Sequence, residues 1–131
     1  MHKHFKQPII LLLLILTVTT ASGCVALLLG AAAGAATAVY VGGDLEKNFE
    51  EDIKTAHKAA LAALKAQDVF VTQDTLNLHD ASILGEYDDG EKVKVTIKAL
   101  TERSSKVKVR VGVFGDELKA NTVMNAIERK L

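Results

Sequence analysis

The sequence predicts an α+β domain, a two-layer arrangement in which an antiparallel sheet of about four strands carries two helices packed on one face. Three observations predict it. Apolar and polar residues alternate strictly along two neighbouring stretches, 92–99 and 106–113, the pattern of strands with one buried and one wet face. Apolar residues recur at helical spacing along 52–67 and again along 120–131. The charge is confined to one part of the chain: all 16 acidic residues lie at or after Asp44, and of the 16 basic residues only Lys3 and Lys6 precede it, so residues 7–43 carry none.

The 131 residues therefore divide into an uncharged N-terminal stretch and a charged part with the composition of one soluble domain. Beyond Asp44 the chain is slightly acidic, which removes the bulk attraction that a general nucleic-acid binder needs, so no nucleic-acid partner is expected. The single cysteine, Cys24, excludes an internal disulfide framework and a cysteine-cluster zinc site. The expected divisions are 1–23, 24–43 and 44–131.

Lys3 and Lys6 form a short basic start, and the unbroken Ile and Leu run from Ile9 to Leu16 has the length of an export-signal core. Ala21-Ser22-Gly23-Cys24 then resembles the lipobox read by the bacterial lipoprotein signal peptidase, departing from it only in Ala21, where Leu is commonest. The resemblance implies cleavage before Cys24, with Ala21, Ser22 and Gly23 as the recognition residues. It also implies a covalent diacylglycerol and N-acyl chain on Cys24, and membrane lipid as the partner of the acylated residue. Several acyl chains hold a protein on a bilayer essentially permanently, at about 0.8 kcal/mol per buried methylene. The competing reading makes Cys24 a small buried hydrophobe in a transmembrane helix. Val25 stands where sorted lipoproteins kept in the inner membrane commonly carry Asp, so the resemblance points to the outer membrane, facing the periplasm, with the inner membrane still open.

Val25 to Val41 is a second apolar segment, about 25 Å long if helical and slightly short of a hydrocarbon core. Gly30 and Gly34 lie on one helical face, the arrangement that lets backbones approach in lipid. Two readings stand: a segment that enters the bilayer and self-associates through these glycines, or a tether with low side-chain demand. The oligomeric state is open.

In the charged part, Gly43 to Phe49 is either a short edge strand or the exit from the tether. Ile53, His57, Ala60, Leu61 and Leu64 mark one face of a helix over Asp52 to Gln67, with acidic residues at its positive end. Val69 to Thr72 begins a strand, Leu76 and Leu78 are expected to cover the core from an irregular segment, and a strand resumes from about Ser82 to Tyr87. Asp88-Asp89-Gly90 is a three-residue turn with Gly90 as its bulge. That register pairs Glu86 with Lys92 and Ile83 with Val95; a two-residue turn would set Glu86 opposite Val93 on the buried face. Val93, Val95, Ile97 and Ala99 face inward, as do Val107, Val109, Val111 and Val113 after a polar turn. Gly115 turns the chain, Asp116 caps, and Ala120, Val123, Met124, Ile127 and Leu131 line the closing helix.

The chain resembles a family of small Gram-negative bacterial lipoproteins carrying a domain of unknown function. The likeness rests on Gly23-Cys24 with the Leu and Ala-Gly segment after it, Leu61-Ala62-Ala63-Leu64-Lys65, Lys94-Val95-Thr96-Ile97, and Val111-Gly112-Val113-Phe114-Gly115-Asp116. It covers nearly all of the mature chain and carries no activity to transfer. Members often place an aromatic residue on the first helix where this chain has His57.

Catalytic motifs are absent from the sequence: there is no nucleophile elbow, phosphate loop or HExxH helix. No catalytic residue, cofactor or metal is therefore expected. His57 and His79 are the histidines available to act as a base, beside Asp80, Asp88 or Asp89, and each has a plainer role as a helix-face or loop residue. The richest candidate is a basic stripe on the wet face of the two strongest strands: Lys92, Lys94, Lys98, Lys106, Lys108 and Arg110. It would attract an anionic lipid or an acidic envelope protein, or it serves only to solvate the face and discourage edge pairing. The expectation is a non-enzymatic, lipid-anchored envelope protein that works by binding. The alternative is a carrier or sensor of a small apolar ligand held between sheet and helices.

Overall fold

In a computed structural model, which describes residues 37–131, the chain runs β1 (Val39–Val41), β2 (Asp44–Phe49), α1 (Ile53–Ala66), β3 (Phe70–Leu76), β4 (Asp80–Glu86), β5 (Lys92–Thr101), β6 (Ser104–Val111) and α2 (Glu117–Lys130). The strands form one antiparallel sheet in the order β1-β2-β6-β5-β4-β3. The α+β class and antiparallel sheet hold, but the sheet has six strands, not about four. The helix packing also differs in detail from two helices simply sharing a sheet. α1 lies against β3 to β6, α2 lies against β2 and β6, and the two helices pack extensively on each other.

The additional strands come from segments whose patterning hides them. β1 is the end of the apolar segment. Val39 pairs with Glu46 and Val41 with Asp44 through a tight Gly42-Gly43 turn, where φ is 60° and 93°. Such a turn needs left-handed backbone at both central residues, which glycine supplies. β2 is an interior strand, since β6 pairs along its other side. β3 continues to Leu76 in place of the expected irregular segment, as the exposed edge of the sheet, with a bulge between Val71 and Gln73.

α1 starts where Asp52 Oδ1 accepts from the Thr55 amide at 2.7 Å, and α2 where Asp116 Oδ1 accepts from the Lys119 amide at 3.0 Å. Each cap satisfies an amide the helix leaves open. The β4–β5 turn has the bulged register: Glu86 lies opposite Lys92, Ile83 opposite Val95, and Gly90 takes a φ of 88°. Alternation along β2, β4, β5 and β6 brings Leu45, Ile83, Val95, Ile97, Val107 and Val109 onto one face. Leu64, Val123, Met124 and Ile127 from the helices close over them.

Four inward assignments are corrected. β6 ends at Val111 because Gly112 turns the chain at φ 76°, which leaves Val113 exposed although it continues the valine alternation. Leu76 and Leu78 are exposed on the edge hairpin, and Leu131 is partly exposed past the last helical turn.

The expected signal residues Ala21, Ser22 and Gly23, the acylation site Cys24, and Gly30 and Gly34 lie outside the described residues. Among the described residues, no helix is long and apolar enough to cross a membrane.

Candidate functional site

The outer face of the sheet, turned away from the helices, carries the candidate site. Alternation that buries Val93, Val95 and Ile97 necessarily presents Lys92, Lys94, Thr96 and Lys98 on the opposite side of β5. The same holds for Lys106, Lys108 and Arg110 on β6. The β5–β6 register sets Lys94 directly opposite Arg110, Thr96 opposite Lys108, and Lys98 opposite Lys106. Two like-charge pairs thus flank one Lys–Thr pair, an arrangement that costs stability unless negative charge is supplied.

Part of that charge comes from β2. Asp44 and Glu46 alternate with the buried Leu45 and Lys47, so they share the outer face with the β6 cations. Arg110 Nε donates to Asp44 Oδ1 at 2.6 Å. Lys108 Nζ lies 3.0 Å from Glu46 Oε1 and 3.9 Å from Asp44 Oδ2, and Lys106 Nζ lies 3.8 Å from Glu46. Arg110, first through its hydrogen bond and also through its charge with that of Lys108 and Lys94, holds the Asp44 carboxyl below the usual aspartate range against the opposing effect of burial. The same hydrogen bond raises the Arg110 pKa further.

The basic stripe is therefore divided. Lys106, Lys108 and Arg110 are paired to β2, whereas Lys92, Lys94 and Lys98 have no ion pair among the described residues. Asp44, Lys94, Thr96, Lys98, Lys108 and Arg110 line a depression of about 510 Å³. Its floor holds a hydroxyl between lysines, which suits an anion carrying several oxygens. Asp44, Glu46 and Thr96 were not singled out in the sequence; the signal for the two acids is their alternation with Leu45, Lys47 and Phe49.

The histidines separate. His57 is 8% exposed on the inner face of α1, and its Nε2 lies 2.6 Å from Asp74 Oδ1 on β3. It is not beside Asp80, Asp88 or Asp89, the carboxylates considered from sequence. His79 lies exposed in the β3–β4 turn, where its carbonyl accepts from the Ala99 amide. No metal-binding cluster of acidic, histidine or cysteine side chains occurs among the described residues.

Elsewhere on the inner side, Lys47 is buried over the Phe49 ring and donates to Glu128 on α2 at 2.7 Å. That pair ties the middle of β2 to the last turns of α2, a structural role. A second depression, between the C-terminal end of α1 and the β4–β5 turn, is lined by Gln67, Asp68, Tyr87, Asp88, Asp89 and Lys119, among others. Burial raises the Tyr87 hydroxyl pKa there, and Glu91 raises that of Lys119 by accepting its hydrogen bond at 2.7 Å.

Comparison with protein families matches residues 8–130 to the family described as protein of unknown function (DUF3568). The match takes in most of the uncharged stretch as well as nearly all of the domain. No curated protein matches the chain.

Proposed function

We start from the fact that the chain belongs to the DUF3568 family, and we propose that it is a lipid-anchored cell-envelope protein that acts by binding, not catalysis. On this reading Cys24 carries the acyl chains, residues 25–36 lead to the domain, and the outer sheet face receives the anionic groups of an envelope component or surface. The lipobox-like Ala21-Ser22-Gly23-Cys24 and the position of the single cysteine support the anchor. Outer-membrane attachment facing the periplasm is the location we propose, from the absence of Asp at position 25.

The observation that carries the binding role is the pair of like-charge contacts across β5 and β6, with Lys94 and Lys98 left without an ion pair among the described residues on either side of Thr96. Solvation alone accounts for lysines on a wet face. It does not account for Lys94 set opposite Arg110 and Lys98 opposite Lys106, even though β4 brings Asp80 opposite Lys98 and Glu86 opposite Lys92. The packing of Leu64, Ile83, Val95, Ile97, Val109 and Met124, each at most 1% exposed, fills the space between sheet and helices and favours this reading over an apolar-ligand carrier.

Sedimentation of residues 37–131, which contain the whole described core, with vesicles tests the role. Anionic vesicles should bind the domain at low salt and zwitterionic vesicles should not. Binding should fall as salt screens it and be lost in the Lys94→Glu, Lys98→Glu double variant. No binding to anionic vesicles at low ionic strength would remove the proposal.

A further inference from the structure

An apolar corner lies at one end of the sheet, next to the Arg110–Asp44 pair of the basic face. Phe114 is 92% exposed and Val113 and Leu118 are each 79% exposed; Val39 and Val41 are exposed on the nearby strand β1, on the face they share with Glu46 and Asp44. The corner is built tightly. The Arg110 guanidinium donates to the carbonyl of Gly42 at 2.8 Å and to that of Val113 at 3.3 Å while it holds Asp44, so it clamps the β1–β2 turn to the loop after β6. Glycines permit the closeness: a Cβ on Gly115 would lie 2.5 Å from the Gly43 Cα, and one on Gly43 would lie 2.9 Å from the Phe114 carbonyl oxygen. Two close-approach glycines and a three-way clamp thus fix a loop whose own side chains add nothing to the core.

We propose that this corner docks into the headgroup–acyl boundary of the bilayer that holds the chain's own N-terminus, with Phe114, Val113 and Leu118 as the inserting residues. The proposal rests on the lipid-anchor reading for its geometry. The chain enters the sheet through β1, at this corner, and upstream of it there is no charged residue back to Gln7. Residues 25–36 span at most about 40 Å even when fully extended, so an acylated Cys24 keeps the corner within reach of the membrane. Tethering at that range makes insertion an intramolecular step, for which a few exposed apolar side chains suffice. Edge pairing of β1 with a second copy is the rival occupant. It would use the strand's backbone and leave Phe114 and Leu118 exposed.

The chain contains no Trp, so a single tryptophan reports its own surroundings. Full-length Phe114→Trp protein is reconstituted in zwitterionic phosphatidylcholine vesicles with brominated or plain acyl chains, and intact mass is measured on the same sample. Leu78→Trp is the control: Leu78 is 78% exposed in the β3–β4 turn, beside Ala99, which at about 3.3 Å per residue lies some 23 Å along β5 from the Lys92 end that meets Gly112. Both positions are exposed, so neither variant threatens folding. At the depth of an interfacial side chain, about 5–10 Å, the tryptophan at 114 should be blue-shifted and lose roughly half its emission to bromine, while that at 78 should change little. The proposal is overturned by equal quenching at both sites, by no quenching at 114, or by a blue shift at 114 that bromine leaves untouched and that grows with protein concentration. A lipid adduct without quenching at 114 refutes docking alone. Quenching at 114 without an adduct refutes the acyl anchor and leaves docking standing.

Discussion

Gly85→Ala is the substitution whose effect follows most directly from the packing. Gly85 lies on the inner face of β4, between Val71 on β3 and Val93 on β5. A Cβ there would stand 2.5 Å from Val69 Cγ1 and 3.2 Å from the Phe70 carbonyl oxygen. Carbon atoms in contact prefer about 3.5–4.0 Å, so Val69 must retreat by an ångström or more. It has little room: it is 6% exposed, and its amide donates to the Leu64 carbonyl at 3.0 Å as the chain leaves α1. Overpacking of this kind costs about 1–3 kcal/mol, against the roughly 0.5–1 kcal/mol by which alanine outdoes glycine in a regular element. The net loss of about 1–2 kcal/mol corresponds to a Tm lowered by about 4–16 °C for a domain of this size. Urea titration and thermal melting of residues 37–131 measure it. Val69→Ala removes the obstructing methyl and costs about 1–2 kcal/mol by itself. The double variant should then be more stable than the sum of the single losses by about 1 kcal/mol. A neutral or stabilising Gly85→Ala, or strict additivity with Val69→Ala, would refute the reasoning.

Two further outcomes follow from the polar contacts. The folded-state pKa of Asp44 lies below its unfolded value, so its ionised form stabilises the domain above about pH 4 and that contribution is lost as the pH falls through the folded pKa. The stability gap between wild type and Asp44→Asn should therefore be constant near neutrality and close in acid; a gap that does not change between pH 7 and pH 2 contradicts the role given to Arg110. For His57 and Asp74, a double-mutant cycle with alanine should return a coupling of about 1 kcal/mol at neutral pH. No coupling would mean that the 2.6 Å contact contributes nothing to the fold.

Much of the domain is legible in the sequence where one face is wet and the other dry. β5 and β6 alternate almost without fault, Asp52 and Asp116 stand where caps are needed, and the inward pattern on either side of Asp88-Asp89-Gly90 admits only the bulged turn. The rest is hidden for physical reasons. β3 is an exposed edge, so Thr72, Gln73, Asp74 and Thr75 show no alternation to read. β1 is concealed because valines suit an apolar tether as well as a strand. Val113 keeps the period of β6, and only the backbone turn at Gly112 removes it from the core. The partial neutralisation of the basic stripe depends on β2 lying beside β6, a long-range pairing that no local pattern encodes. Nor does any local spacing connect His57 to Asp74.

Intact mass spectrometry of the full-length product extracted from membranes tests the central claim, that this chain is held to the envelope by an acylated Cys24. The account predicts a chain that begins at Cys24 and is heavier than its sequence by a diacylglycerol and an N-acyl chain, with Cys24→Ser left uncleaved. A membrane-derived chain that still begins at Met1, or that begins at Cys24 with a free thiol, would contradict it.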